Sequence, residues 1–242
     1  MGECEADWAA AVAREGFAFA RAGDVRARLL GALGDWDAFA ASWDGMPRDA
    51  YMADGGRYRR RRHSVLSVTS GGHATAQPRQ AHYQDRAYNA LNGGVARWYE
   101  PVAPEIVAGK SLAGVVALGA GLFAGLRPGA AWRTELHQFR IEAAQGAPGR
   151  PTPEGVHRDG VDFVLVLLVR RENVAQGTTT VHDSAGRELG AFTLTRPLDA
   201  AFVDDARVLH GVTPVIPLDA SRPAFRDVLV ATYRVVPQEK ES

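Results

Sequence analysis

An apolar run at residues 163–169, placed directly after a polar segment with His157 and Asp159, most constrains how this chain folds. The run is short for a helix and has no polar alternation, so it predicts a strand that is buried on both faces. In an extended chain, residues two apart point to the same side. His157 and Asp159 are therefore expected to project together where this strand opens, with Arg158 facing the other way.

The second half of the chain carries further strand signals separated by turns. They predict strands at residues 132–141, 176–182, 188–194, 200–203, 208–215 and 226–236. The second and third of these strands flank a turn and indicate a hairpin. Short strands with frequent turns favour a sandwich or barrel, and the spacing of His157, Asp159 and His210 is compatible with a jelly roll.

The first half of the chain is predicted to be mainly helical and to cover a sheet. Residues 5–45 suggest a helical face that includes Phe17, with Asp24 as the N-cap of a second helix and Asp35 as the cap of a third. Two further helical patterns cover residues 85–100 and 105–126. The second of these has few charges, which indicates a buried helix.

The composition is that of a globular protein. The 242 residues carry 28 basic and 28 acidic side chains, and a net charge of zero argues against general binding of polyanions. We expect one domain, 1–242, with a helical part at 1–50 and core strands at 130–236. A lone cysteine, Cys4, excludes a disulfide framework, and no secretory or membrane-spanning segment is visible, so a cytoplasmic location is expected.

A metal site is the chemistry that His157 and Asp159 favour. One imidazole and one carboxylate side by side are two thirds of a two-histidine, one-carboxylate face, which suits non-haem Fe(II) and leaves coordination positions open. His210, in a later strand, is the candidate third ligand. The other histidines show no HxH or HExxH spacing, so zinc hydrolysis is not indicated.

A ferrous centre with open positions needs two further electrons to reduce O2 fully. A chelating 2-oxo acid supplies them by oxidative decarboxylation, and its distal carboxylate must meet a cation. Arg226 begins the last predicted strand and shares a face with Val228 and Val230. It is the first candidate for that cation and Arg234 is the second, with an ordinary surface ion pair as the alternative for either.

Five arginines lie within residues 57–62, in a predicted strand. Such a run raises the hypothesis of nucleic-acid binding, although it lacks the interleaved aromatic residues of a protein that binds single-stranded nucleic acid. Alternation divides the arginines between two faces, which favours a solvated or salt-bridged strand. Binding of a small-molecule carboxylate is the second alternative, because a guanidinium fits a carboxylate in bidentate fashion.

Several motifs together resemble one known family. They are EGVHRDGVDF at 154–163, RENV at 171–174, HGVTP at 210–214 and RDVLV at 226–230, with DGGRYRR at 54–60 and HQFRI at 137–141. The chain resembles the Fe(II)/2-oxoglutarate-dependent dioxygenases that hydroxylate free L-amino acids, the L-isoleucine 4-hydroxylase group. After Asn173 it departs from the expected Gly-Gly pair, with Ala175-Gln176-Gly177 instead.

The resemblance implies a cupin-like double-stranded β-helix core, covered by the N-terminal helices. It also implies Fe(II) on His157, Asp159 and His210, 2-oxoglutarate held partly by Arg226, and O2 as the oxidant. The implied reaction is hydroxylation of an aliphatic C–H of a free L-amino acid or similar small molecule, with succinate and CO2 as co-products.

An amino-acid substrate needs a cation for its carboxylate and an acceptor for its ammonium. Arg59, Arg140, Glu154 and Arg158 are the candidates. Two alternatives stay open: the same iron chemistry on a nucleic-acid or protein side chain, and a β-barrel binding module without catalysis. We expect a small-molecule partner and neither nucleic acid nor membrane, and the oligomeric state is left open.

Overall fold

The computed structural model describes residues 7–89 and 91–237. Its strands are β1 (Phe17–Ala20), β2 (Arg59–Val68), β3 (Ala74–Ala76), β4 (Ala131–Ala143), β5 (Phe163–Glu172), β6 (Val174–Gln176), β7 (Thr178–His182), β8 (Glu188–Thr193), β9 (Ala200–Asp204), β10 (Leu209–Val212), β11 (Val215–Pro217) and β12 (Ala224–Val236). Its helices are α1 (Trp8–Glu15), α2 (Ala22–Leu29), α3 (Trp36–Ala41), α4 (Pro104–Val107) and α5 (Lys110–Ala124), with a 3-10 turn at Leu33–Asp35.

The strands form a large sheet and two small ones. The large sheet has the order β1-β9-β5-β12-β4-β2-β3, and the small sheets have the orders β10-β7-β8 and β11-β6. Strands β7 and β8 pair as the predicted hairpin. Residues of the large sheet and of β10-β7-β8 line one cavity between them. The predicted mainly β fold with a jelly-roll core is confirmed.

β5 is buried on both faces, as its continuous apolar sequence predicts. Phe163, Leu165 and Leu167 belong to the core under the helices, whereas Val164 and Val166 line the cavity. α5 contributes Phe123 to the same core, and its ring stacks on that of Phe163 with centroids 4.6 Å apart. Each buried side chain of this size contributes about 1.5–3 kcal/mol to stability.

The N-terminal region is not the continuous helical layer that its sequence predicts. α1 ends at Gly16, whose φ of 84° is the left-handed conformation that glycine adopts readily. The chain then becomes strand β1, which pairs with β9 at the edge of the large sheet. The expectation that Phe17 lies on a helix face is wrong, and its ring packs against Phe192 of β8.

Of the two predicted helix caps, one is wrong and one is confirmed in position only. Asp24 lies in the first turn of α2 and is not its N-cap; the first amide of that helix, at Ala22, donates to Asp199 Oδ1 at 2.9 Å. Asp35 is the N-cap residue of α3, as predicted, but its side chain makes no capping hydrogen bond to that helix. It instead accepts two backbone N–H bonds of 2.8 Å at the start of α5.

The helix predicted at 85–100 does not form in the described part of this stretch. The segment consists of turns and of one β-bridge between His82 and Arg97. Gly93 is packed against the carbonyl of Asn89, where a Cβ atom has no room. The pattern predicted at 105–126 does correspond to helices, α4 and α5. Within the described ranges, no helix is long and apolar enough to cross a bilayer.

Candidate active site

His157, Asp159 and His210 meet at the cavity between the sheets. His157 lies in the loop that precedes β5, and its backbone forms a bridge to His210 with two hydrogen bonds of 2.9 Å. His157 Nε2 is 3.6 Å from Asp159 Oδ1, and His210 Nε2 is 3.6 Å from Asp159 Oδ2. Residues that are distant in sequence are thus brought to one point, in the arrangement that the sequence predicts.

The chemical state of these side chains suits a ferrous ion. His157 Nδ1 donates to the carbonyl of Gly155 at 3.0 Å, which makes Nε2 the atom that faces the metal position. Burial opposes the charge of His157, but the hydrogen bond with Asp159 and the charges of Asp159 and Glu154 raise its pKa to about 9, so a metal ion would displace the proton on Nε2. Burial, together with the charge of His157, lowers the pKa of His210 to about 4, so this imidazole is neutral. Burial acts to raise the pKa of Asp159, but the hydrogen bond with His157 and the charge of His157 together outweigh it and hold this pKa well below its usual range. Two imidazoles and an ionised carboxylate form the donor set that Fe(II) prefers.

Asp205 fixes the loop that carries Asp159. Its carboxylate accepts backbone N–H bonds from Asp159 at 2.9 Å, Gly160 at 2.8 Å and Val161 at 3.1 Å. Its Oδ1 lies 3.9 Å from His210 Nδ1. Asp205 was not predicted from the sequence. Its position between the buried strand β9 and His210 is the feature that could have indicated a role near the site.

Arg226 lies within the cavity and is 2 % exposed. Its Nε has no hydrogen-bond partner among the described residues. Burial, and then the charge of Arg171, lowers its pKa to about 10, so the guanidinium remains charged at neutral pH. A buried guanidinium with a free N–H is suited to an anionic ligand. Arg234 also lines the cavity, but it is exposed and donates to the carbonyl of Gly160 at 2.7 Å.

The arginine run at 57–62 is divided between the two faces of β2. Arg60 and Arg62 do not line the cavity and are held by carboxylates and backbone carbonyls. Arg59 lines the cavity but pairs with the buried Asp49 at 2.7 Å. These three arginines are therefore neutralised within the protein, as the salt-bridged alternative expects.

The other candidate substrate residues lie in different places. Glu154 lines the cavity; its Oε1 is 3.5 Å from His157 Nε2, and its Oε2 is buried without a hydrogen-bond partner in the described chain. Arg140 lies on the opposite face of β4, where it forms a bidentate ion pair with Asp227, both bonds being 2.7 Å. Arg158 is not among the residues that line the cavity. Neither of these two arginines is placed to meet a ligand in the cavity.

A second polar cluster, formed by His63, His82, Glu135 and His137, was missed in the sequence. Glu135 Oε2 accepts from His63 Nε2 at 2.9 Å and from His82 Nδ1 at 2.7 Å. These hydrogen bonds outweigh burial and hold the pKa of Glu135 well below its usual range. Alternation placed Glu135 and His137 on one face of β4, but it carries no information on the neighbours that other segments supply.

The segment that departs from the expected Gly-Gly pair after Asn173 has an unusual backbone conformation. Gln176 and Gly177 both have positive φ, 62° and 74°, the region that glycine favours. At Gly177 an added Cβ would lie 2.8 Å from Val215 and 3.9 Å from Arg226. Position 177 therefore requires glycine for space as well as for backbone conformation. Gln176, in contrast, adopts the left-handed conformation despite its side chain.

Comparisons with known proteins give the family. The model of the 2OG-Fe dioxygenase family matches residues 40–232. The chain is 25% identical over 155 residues to 3(1)-hydroxy-L-isoleucine 4-dioxygenase from Pantoea ananatis (strain AJ13355), and the match spans 62% of this chain and 62% of that relative's length.

Solved structures agree with this match. A BsmA homologue from Methylobium petroleophilum PM1 is 39% identical, with a TM-score of 0.85 over 97% of this chain and 94% of the other. IDO from Bacillus thuringiensis shares the fold, with a TM-score of 0.78 at 16% identity over 98% of each chain. Because the family match covers most of the residues, the chain belongs to the 2OG-Fe dioxygenase family, the non-haem oxygenases that use Fe(II), 2-oxoglutarate and O2.

Proposed function

We propose that this oxygenase hydroxylates an aliphatic C–H of a free L-amino acid. The observation that carries the proposal is that the His157, Asp159 and His210 triad and the unpaired guanidinium of Arg226 line one cavity. The Pantoea ananatis relative, whose name specifies a hydroxylated isoleucine, supports an amino acid as the substrate.

In this proposal the triad holds the iron, and Asp205 keeps the loop of Asp159 in place. Iron, 2-oxoglutarate and O2 supply the oxidation of the C–H bond, with succinate and CO2 as co-products. Arg226 binds the distal carboxylate of 2-oxoglutarate. Because Arg226 is buried, little water competes for its charge, which strengthens the ion pair.

Glu154 is proposed to accept the ammonium group of the substrate. Its Oε2 is buried without a donor, and such an oxygen is expensive to leave unpaired. A cationic N–H donor from the substrate would satisfy it beside His157.

The division of the arginine run supports a small molecule over nucleic acid. Three of its arginines are held by protein groups and do not form a free basic surface. A single domain and a cytoplasmic location stay predictions.

Anaerobic addition of Fe(II) and 2-oxoglutarate tests the metal assignment. The wild-type protein is expected to develop a weak visible metal-to-ligand charge-transfer band, and His157→Ala and Asp159→Ala are expected to lose it. Arg187→Gln, which changes an arginine whose side chain is 78% exposed, is the control and should keep the band. Retention of the band in either ligand variant contradicts the assignment.

A succinate assay across the common amino acids tests the substrate class. We expect one or a few aliphatic amino acids to stimulate succinate release above the uncoupled background. If none does while the charge-transfer band is present, the iron site stands and the amino-acid substrate is wrong.

A further inference from the structure

One wall of the cavity carries buried cationic N–H groups that lack an acceptor. Arg61 and Arg97 are 4% and 2% exposed, and both line the cavity. Arg61 Nε, Arg97 Nε and Arg97 Nη2 have no hydrogen-bond partner in the described chain. Together with His137 they are called the arginine wall here. Unpaired buried donors are costly, so three of them on one wall indicate a ligand that brings acceptors.

The guanidinium of Arg61 is held in one orientation. Its Nη1 donates to Tyr99 Oη at 3.0 Å, and its Nη2 donates to His137 Nδ1 at 2.8 Å. Its Cζ lies 4.2 Å from the ring centroid of Tyr99 and 4.7 Å from that of Phe139. A group that is fixed in advance loses little entropy when a ligand binds.

The charge of the wall favours an anion. The carboxylates nearby are already engaged: Asp49 pairs with Arg59, and Glu135 accepts from His63 and His82. Arg133 also donates to Glu135. The guanidinium charges of the arginine wall therefore have no carboxylate partner of their own among the described residues.

By residue types alone, His63, His82, Glu135 and His137 resemble a second metal site. Their protonation argues against it. Arg61 can only donate, so His137 Nδ1 accepts and the proton of this neutral imidazole lies on Nε2. A metal ion would have to displace the protons shared with Glu135, next to two guanidinium charges.

The wall adjoins the triad of His157, Asp159 and His210. The backbone of Arg97 forms a bridge with that of His82. Two residues after His82, Gln84 Nε2 donates to the carbonyl of Asp159 at 3.2 Å. A ligand anchored at the wall therefore has the metal triad as a neighbour.

We propose that Arg61 and Arg97, with His137 Nε2–H, bind the carboxylate of the primary substrate at a subsite separate from Arg226. This inference rests on the proposed function and assigns one part of it. The cavity then receives two carboxylates on separate guanidinium groups: that of 2-oxoglutarate on Arg226, and that of the substrate on the arginine wall. The apolar residues Val164 and Val166 remain for an aliphatic side chain.

Calorimetric titration of the anaerobic Fe(II)–2-oxoglutarate complex tests the subsite. The probes are L-isoleucine, its amide L-isoleucinamide, and 3-methylpentanoate, which keeps the carboxylate and lacks the ammonium. The wild-type protein is expected to bind L-isoleucine roughly 30-fold or more tightly than the amide, because the amide leaves the buried guanidinium charges unpaired. This comparison needs no variant.

Arg61→Gln and Arg97→Gln are expected to weaken L-isoleucine binding by roughly 30-fold or more and to reduce the preference for acid over amide. The charge-transfer band should be unchanged, which reports an intact iron site, and Arg187→Gln is the matched control. A purely structural role would not alter the ratio of acid to amide affinities.

Four outcomes decide the inference. Equal binding of acid and amide by the wild type overturns it, and so does unchanged acid binding in both variants. A second equivalent of Zn(II) whose binding is lost in His63→Ala and His82→Ala also overturns it, because the wall would then hold a cation. The fourth outcome is that 3-methylpentanoate binds and L-isoleucine does not. If Arg61→Gln then abolishes the binding of 3-methylpentanoate, the carboxylate subsite is supported and a free amino acid is no longer the proposed substrate.

Discussion

At the scale of single residues, pairing separates the arginines of β2, β4 and the cavity into two kinds. Arg59 and Arg140 are held by the aspartates Asp49 and Asp227, which neutralise them inside the protein. Arg61, Arg97 and Arg226 keep unpaired buried N–H groups. Because an unpaired buried donor destabilises the fold, the second kind is better explained by a ligand than by stability.

Replacement of Arg226 tests this distinction for the co-substrate. Arg226→Gln is expected to raise the 2-oxoglutarate concentration at half-maximal succinate release by roughly 30-fold or more, because the carboxylate loses a buried cation. Arg234→Gln should have a smaller effect, since Arg234 is exposed and its Nη2 already donates to a carbonyl. The measurement is the apparent KM for 2-oxoglutarate in each variant. A larger effect at Arg234 would reverse the assignment.

At the scale of elements, local alternation predicted the strands well and local caps predicted the helices poorly. β4 and β12 follow the expected ranges and faces, because alternate residues of a strand lie on opposite faces of the sheet. β5 was predicted from its continuous apolar run, which indicates burial on both faces. The N-termini of α2 and α5 are instead capped by Asp199 and Asp35, which are distant in sequence. Strand β1 was missed because its partner, β9, is near the other end of the chain.

The contact between α5 and the large sheet gives a prediction with a matched control. A Cβ at Gly119 would collide with the Tyr233 hydroxyl, which donates to the Val116 carbonyl at 3.0 Å, so Gly119→Ala is expected to lower the free energy of unfolding by about 1–3 kcal/mol. Gly121 lies in the same helix with no atom near its Cβ position. Gly121→Ala should therefore stabilise by about 1 kcal/mol. Urea denaturation measures both, and equal effects would contradict this packing.

At the scale of the whole molecule, one part of the cavity can be predicted from the sequence and another part cannot. His157, Asp159, His210 and Arg226 lie in short motifs of the C-terminal half, so sequence alone predicted them. The arginine wall depends on the register of β2 against β4, which sets Arg61 opposite Phe139, and on an irregular loop that brings in Arg97. No periodicity in the sequence encodes that register or that loop.

The buried histidines beside this wall make the stability of the whole fold depend on pH. Burial lowers the pKa of His82 to about 3, whereas an unfolded histidine has a pKa near its ordinary value of 6.5. Below pH 6.5 His82 binds a proton in the unfolded chain but stays neutral in the folded protein. The stability that is present above pH 6.5 is therefore lost as the pH falls. At pH 5 the loss from this one group is about 2 kcal/mol. Burial also lowers the pKa of His63 and His137, which adds a loss in the same direction.

Urea denaturation of the metal-free protein at pH 7 and pH 5 measures this loss. The free energy of unfolding is expected to fall between the two values in the wild type and to fall by about 2 kcal/mol less in His82→Gln, because the substituted side chain binds no proton. His73→Gln, which replaces an exposed histidine, is the control and should leave the difference unchanged. If His82→Gln and the wild type lose the same stability, folding leaves the pKa of His82 near its ordinary value, and burial does not keep this imidazole neutral. The assignment of neutral histidines around the Glu135 carboxylate would then be wrong.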